Sequence, residues 1–94
     1  MGSAAFDELI HAPNRLKICA LLAPVASLEF SVLREHLGVS DSVLSKHIKP
    51  LEEAGYVVIN KSASEGRVRT WLSLSTSGRK AFKGHVEALK EIVG

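Results

Sequence analysis

The chain holds a single cysteine, Cys19, so no intrachain disulfide can form and the fold must rest on its core, as suits a reducing cytoplasm. Its longest apolar run, Ile18 to Val25 broken only by Pro24, is far too short to cross a bilayer. No basic segment leading to a small-residue cleavage site opens it, so export is not expected. Internal repeats, linkers and low-complexity stretches are missing, which leaves residues 1–94 as one domain. Nucleophile elbows, phosphate-cradling glycine loops and paired acid–base carboxylates are missing too, so no enzyme is expected. His11, His36, His47 and His85 include no closely spaced pair, and no second cysteine or carboxylate spacing supports them, so no metal or other cofactor is expected.

What is present is a chain of 94 residues, 46% apolar and 23% charged, ordinary for a folded domain whose modest core favours oligomerisation. A net charge of +2 and a pI near 8.9 are only mildly basic, so the placement of the charges has to identify any anionic partner.

Helical periodicity governs the first half. Residues 4–23 read as helix divided by Pro13: a short turn of helix, then a main helix from about Pro13 to Leu22, since proline is tolerated at a first helical position. Leu9, Leu16, Ala20 and Ala23 fall on one side, with Ile18, Cys19 and Leu22 beside them. Leu28 to Phe30 is a brief extended stretch, and Ser31 is the expected cap of a short helix, Val32 to Leu37, that turns Leu33 and Leu37 inward. Gly38 ends it in a left-handed conformation. Ser40 caps the next helix, about 41–54, whose inner face is Leu44, Ile48 and Leu51.

After Gly55 the period changes. Residues 56–61 and 67–74 are rich in β-formers around a loop at 62–66. On the second strand Val68, Thr70, Leu72 and Leu74 share one face, and Arg67, Arg69, Trp71 and Ser73 the other. Ser75 caps a last helix over about 76–93. The expected fold class is mainly α with a small β-hairpin.

Two helices joined by Gly38-Val39-Ser40 match a helix-turn-helix. With Leu44, Ile48 and Leu51 turned inward, the second helix presents Ser42, Ser45, Lys46 and Lys49, with Ser40 at its start. Serines let a helix approach a major groove closely, and lysines reach phosphates or guanine edges. A solvated surface helix would carry the same residues, so the helix alone does not decide. The hairpin adds Lys61, Arg67 and Arg69 around a loop whose one acid is Glu65. Lys46, Lys49, Lys61, Arg67 and Arg69 are expected to aim one way, as in a winged helix.

The stretches "HAPNRLKICALL", "LEFSVLREHLGVSDSVLSKHIKPLEEAGYV" and "EGRVRTWLSLSTSGRKAF" resemble the compact winged-helix transcriptional regulators of the MarR/ArsR-like group. The resemblance covers about residues 9–90, and "LSKHIKPLEEAGYV" and "GRVRTWLSLSTSGR" are its most specific parts. It implies a homodimer that binds operator DNA, with the helix at 41–54 in the major groove and the wing arginines near the minor groove. By position, Ser42, Ser45, Lys46 and Lys49 would be the helix contacts, and Lys61, Arg67 and Arg69 the wing contacts. Two departures stand out. Ser42-Val43 replaces a glycine-asparagine-like pair common in such proteins, so base preference does not carry over. Pro50 replaces a basic or polar residue; the helix either bends there or is simply ending.

The last helix carries Phe82, Val86, Leu89 and Val93 on one stripe and Ala81, His85, Ala88 and Ile92 on the next, which is more apolar surface than a small body covers. Core packing is the simpler account; a two-fold dimer interface formed by Leu9, Phe82, Val86, Leu89 and Val93 is the favoured one. Such a dimer would read a pseudo-palindromic operator, with repression as the expected effect. The rival reading is a winged-helix protein–protein interaction module without DNA binding. Cys19 reads as a small hydrophobe rather than a redox sensor, and His47 as a packed, hydrogen-bonded residue. Trp71 reads as the anchor of the wing sheet. His11 and His85 could meet a metal only across a dimer. No membrane partner is expected; the reading leaves room for a small-molecule effector, which the chain does not name.

Overall fold

The computed structural model describes residues 5–94, so the expected helix start at residue 4 lies outside them. The elements are α1 (Glu8–His11), α2 (Pro13–Leu22), β1 (Leu28–Glu29), α3 (Phe30–Leu37), α4 (Asp41–Glu53), β2 (Val57–Ser64), β3 (Arg67–Leu74) and α5 (Thr76–Val93). Pro13 opens α2, as its missing N–H allows. Asp7 caps α1 by accepting from the Ile10 N–H.

Three expectations need correction. Ser31 does not cap α3: the helix begins at Phe30 after Glu29, whose side chain makes no capping bond, because pairing of Leu28–Glu29 with β3 ends the extended stretch one residue earlier. On α2 the buried residues are Ile18, Cys19 and Leu22, whereas Ala20 is exposed and Leu9, Leu16 and Ala23 are only half-buried. The wing loop is two residues rather than five: Ser62, Ala63 and Ser64 pair with Arg69, Val68 and Arg67 as an exposed ladder. Glu65 (φ 52°) and Gly66 (φ 76°) then make a tight turn with both central residues left-handed, which suits the twist of a hairpin.

The sheet is antiparallel in the order β1-β3-β2, with Leu28 opposite Leu72 and Ile59 opposite Leu72 on β3's other side. Its inner face joins one core of Ile10, Ile18, Cys19, Leu22, Leu33, Leu44, Ile48, Leu51, Val57, Leu72 and Leu74. Each fully buried aliphatic side chain contributes about 1.5–3 kcal/mol. The expected inner residues of α3 and α4 are there, Leu33, Leu44, Ile48 and Leu51 buried and Leu37 packed at the margin.

α5 is fastened to the body at its first turn. Ser75 Oγ accepts from the Gly78 N–H (2.9 Å) and donates to the Gly55 carbonyl (2.5 Å). Gly78 lies against the Tyr56 carbonyl so closely that a Cβ would collide with it. The Arg79 guanidinium donates to the Ala23 (2.7 Å) and Val25 (3.0 Å) carbonyls and so closes the end of α2. Further on, His85 and Ala88 face inward, and Ile92 and Val93 are 67% and 81% exposed. Among the described residues no helix is long and apolar enough to cross a membrane.

Candidate nucleic-acid interface

α4 is set by its cap and its inner stripe. Ser40 has extended backbone geometry and its Oγ accepts from the Val43 N–H at 3.2 Å, satisfying one of the free donors of the first turn. Its hydroxyl also meets that of Ser42 at 3.2 Å. Gly38 (φ 66°) makes the turn from α3, and the Arg34 guanidinium meets the Asp41 carboxylate at 2.6 Å across that turn. The pair holds Arg34 firmly cationic, raised above its ordinary value by the hydrogen bond and charge of Asp41. It also offsets the one acid in the first turn of α4, where an anionic ligand would otherwise be repelled.

Because Leu44, Ile48 and Leu51 are buried, Ser42, Ser45, Lys46 and Lys49 are all exposed along the outer side. The helix continues through Pro50 to Glu53 without a break at Lys49. Residue 50 cannot donate to the Lys46 carbonyl, and buried Ile48 and Leu51 on either side hold the last turn in place. Val43, at 37% exposure, also reaches the surface in the first half of α4, which the inward-outward division of the sequence did not single out. Its flanking position on the helical projection was the available signal.

His47 lies on that same flank. Its Nε2 meets the Asn14 amide at 3.3 Å, so it is the packed, hydrogen-bonded residue expected. Burial, then the charges of Arg15 and Lys46, hold its pKa below the ordinary 6.5.

The wing corrects one part of the sequence reading. Lys61 pairs with Thr70 while Arg69 pairs with Ser62 and Arg67 with Ser64, so Lys61 projects from the opposite face of the ribbon to the two arginines. The five cations therefore do not aim one way. Lys61 looks toward α4, where it lines a cleft of about 490 Å³ with Ser45, Lys49, Glu52 and Thr70. Across a two-residue turn the even spacing from Lys61 to Arg67 and to Arg69 produces this split, whereas a loop of 62–66 would have set Lys61 opposite Arg67 on one face. Arg67 is exposed near the tip. Arg69 is half-buried, its guanidinium 4.0 Å from Glu29 of β1 and its Nε without a hydrogen-bond partner among the described residues. Trp71, half-buried, lies between Glu29 and Asn60 in the register of the sheet.

The remaining expected site residues divide likewise. Leu9 and Phe82 are half-buried against their own core, Val86 and Leu89 are half-buried on α5, and Val93 stands free. Cys19 is fully buried, and burial pushes its thiol pKa up to about 11, which leaves it unreactive near neutrality. His11 and His85 meet within one chain, Nδ1 to Nε2 at 3.2 Å. Among the described residues no group of three or more His, Cys, Asp or Glu is placed to hold a metal.

A helix-turn-helix followed by a two-stranded wing on a small antiparallel sheet defines the winged-helix class of DNA-binding domains. The chain belongs to the winged helix DNA-binding domain family, which matches residues 14–93. It is 40% identical over 85 residues to the uncharacterized protein MJ0432 of Methanocaldococcus jannaschii, covering 90% of this chain and 92% of that one. Its structure is similar to that of a transcriptional regulator homologue from Pyrococcus horikoshii OT3 (TM-score 0.87, 28% identity, 93% of this chain and 86% of that one). It is also similar to NadR in complex with 4-hydroxyphenylacetate (TM-score 0.74, 26% identity, 93% of this chain and 66% of that one). The Staphylococcus aureus MepR–DNA complex shares the fold at 17% identity (TM-score 0.77, 92% of this chain and 70% of that one). These neighbours include MarR-family transcriptional regulators, and both family and fold are those of transcription regulators rather than enzymes.

Proposed function

We propose that the protein is a sequence-specific transcriptional regulator, a repressor, that binds a pseudo-palindromic operator as a homodimer in the cytoplasm. The observation that carries this reading is the outer row of α4: Ser42, Ser45, Lys46 and Lys49 are all exposed on a helix whose opposite side is fixed in the core. Ser40, Ser42 and Ser45 let the helix approach closely; Lys46 and Lys49 supply phosphate or guanine contacts. Arg67 and Lys61 reach backbone from the two faces of the wing, and Arg69 is a wing contact partly engaged by Glu29. The solved complex of MepR with DNA supports DNA as the ligand of this architecture.

The dimer face in this reading is the outward flank of α5, Val86, Leu89 and Val93, with Ile92 beside them and Leu9 and Phe82 at its inner margin. A two-fold arrangement would set two copies of α4 about 34 Å apart, in successive major grooves. Binding to the chain's own upstream DNA, measured by fluorescence anisotropy at several salt concentrations, tests the proposal. About three phosphates neutralised per subunit gives a log–log slope near −5. A slope near zero would remove DNA as the ligand and favour a protein partner.

A further inference from the structure

We propose that His11 and His85 form a proton-operated latch, holding α1 and the segment before it on α5 at neutral pH and releasing them on acidification. The latch stands without the DNA-binding reading; its consequence for DNA affinity rests on that reading.

Donors and acceptors along this contact match in one arrangement only. Asp7 donates its backbone N–H to His85 Nδ1 at 2.9 Å, so that nitrogen must carry a lone pair. A neutral His85 then holds its proton on Nε2. This Nε2–H points at His11 Nδ1, 3.2 Å away, which must accept it. The chain of bonds is complete only when neither ring is charged. Both rings pack on Phe6, each with its centroid 4.7 Å from the phenyl ring, and His85 has no exposed surface.

A single extra proton breaks the chain wherever it lands. On His85 it occupies Nδ1 and displaces the Asp7 N–H. On His11 it turns Nδ1 into a donor facing a donor; the rings then separate, or His85 shifts its proton to Nδ1 and loses Asp7. Among the described residues the segment has one further hydrogen bond to α5, from the Ala5 N–H to the Gly84 carbonyl at 3.2 Å. Its ties to the rest of the body are the buried Ile10, the Tyr56 hydroxyl on Asp7 and the cationic Arg15, whose Nε–H donates to the Leu9 carbonyl; α1 itself, four residues long, is too short to be helical alone.

The charged and titratable neighbours are few. The N-terminal segment brings Asp7, whose carboxylate is occupied by the Ile10 N–H (3.0 Å) and the Tyr56 hydroxyl (2.7 Å). Tyr56 comes from the α4–β2 connection, and α2 presents the neutral thiol of Cys19 to Asp7. On α5, Lys80 lines the depression it shares with Phe6, Asp7 and Tyr56. Burial first, then His11, lowers the pKa of His85 from its ordinary 6.5, against an opposing pull from Asp7. A ring with lowered proton affinity in the folded state keeps its bonds until the pH falls through that lowered value, and the stability those bonds contribute is level above about pH 6.5 and declines below it. Since α1 and α5 border the proposed dimer face, release would loosen the two-fold contact and with it the grip on DNA.

Long-range ¹H–¹⁵N spectra of the full chain with labelled histidine read the latch directly. At pH 8 His85 is expected to carry its proton on Nε2 with bare Nδ1, and His11 to show bare Nδ1. Amide-exchange protection at Ile10 and His11 should fall about tenfold or more between roughly pH 8 and 5.5. The double variant His11→Gln/His85→Gln keeps one acceptor and one donor per side chain and nothing to titrate, so its protection should change less than about twofold. Protonated Nδ1 on His85 at pH 8, or wild-type protection that stays level to pH 5.5, overturns the latch; both readings need no variant. Absence of DNA binding at pH 8 would count against the regulator reading alone.

Discussion

Gly78 shows how much a single position decides. Its Cα lies where β2 begins, against the Tyr56 carbonyl, while the same carbonyl accepts from the Ser75 N–H at 2.9 Å. Adding one methyl forces backbone apart rather than a flexible side chain. Gly78→Ala should therefore lower the unfolding free energy by about 1–3 kcal/mol despite alanine's better helix propensity, as read by urea denaturation. Cys19 is the opposite kind of residue, chemically capable but sealed. With its pKa near 11 and no exposed surface, it should resist alkylation at pH 8 in the folded protein and react at once in denaturant, checked by mass spectrometry. Of the exposed α4 residues, Lys46 gives the simplest functional test. Lys46→Ala should weaken DNA binding on all sequences and reduce the magnitude of the salt slope by about one, which anisotropy titrations would measure.

At the scale of elements, Pro50 interrupts the bonding of α4 without ending the helix. Pro50→Ala would restore a bond to the Lys46 carbonyl and should raise stability by up to about 3 kcal/mol, visible as a higher melting temperature. Helices and caps were largely legible in the chain: Ser40, Ser75, Gly38 and the Leu44–Ile48–Leu51 stripe act through neighbours three or four residues away, which sequence displays. The start of α3 was not, because Leu28–Glu29 pairs with residues more than forty positions distant. The wing loop was misjudged because Ser62 and Ser64 are polar on a ribbon with no core on either side; backbone pairing alone keeps them extended. That error hid the true facing of Lys61. The outer row of α4 could be read in advance, whereas Asp7, Tyr56, His11 and His85 meet only through tertiary folding.

For the whole molecule, which measures 51 × 24 × 21 Å, the last turn of α5 leaves Ile92 and Val93 uncovered. If that end is the two-fold contact, Ile92→Asp/Val93→Asp should shift the protein to monomer in sedimentation velocity and weaken operator binding, while urea stability of the monomer changes by less than about 0.5 kcal/mol. Global stability should also follow His47 and His85. Both are held below 6.5 in the folded state, so the unfolded chain takes up protons first. The melting temperature should be level above about pH 6.5 and decline below it; a decline on the alkaline side instead would contradict the assigned environments.

A ribbon with lysine on one surface and arginines on the other behaves as a blade more than as a pad. A flat anionic plane could satisfy only one of its sides. A narrow slot walled by negative charge on both sides would satisfy both, so edge-on insertion makes fuller use of the wing than lying flat.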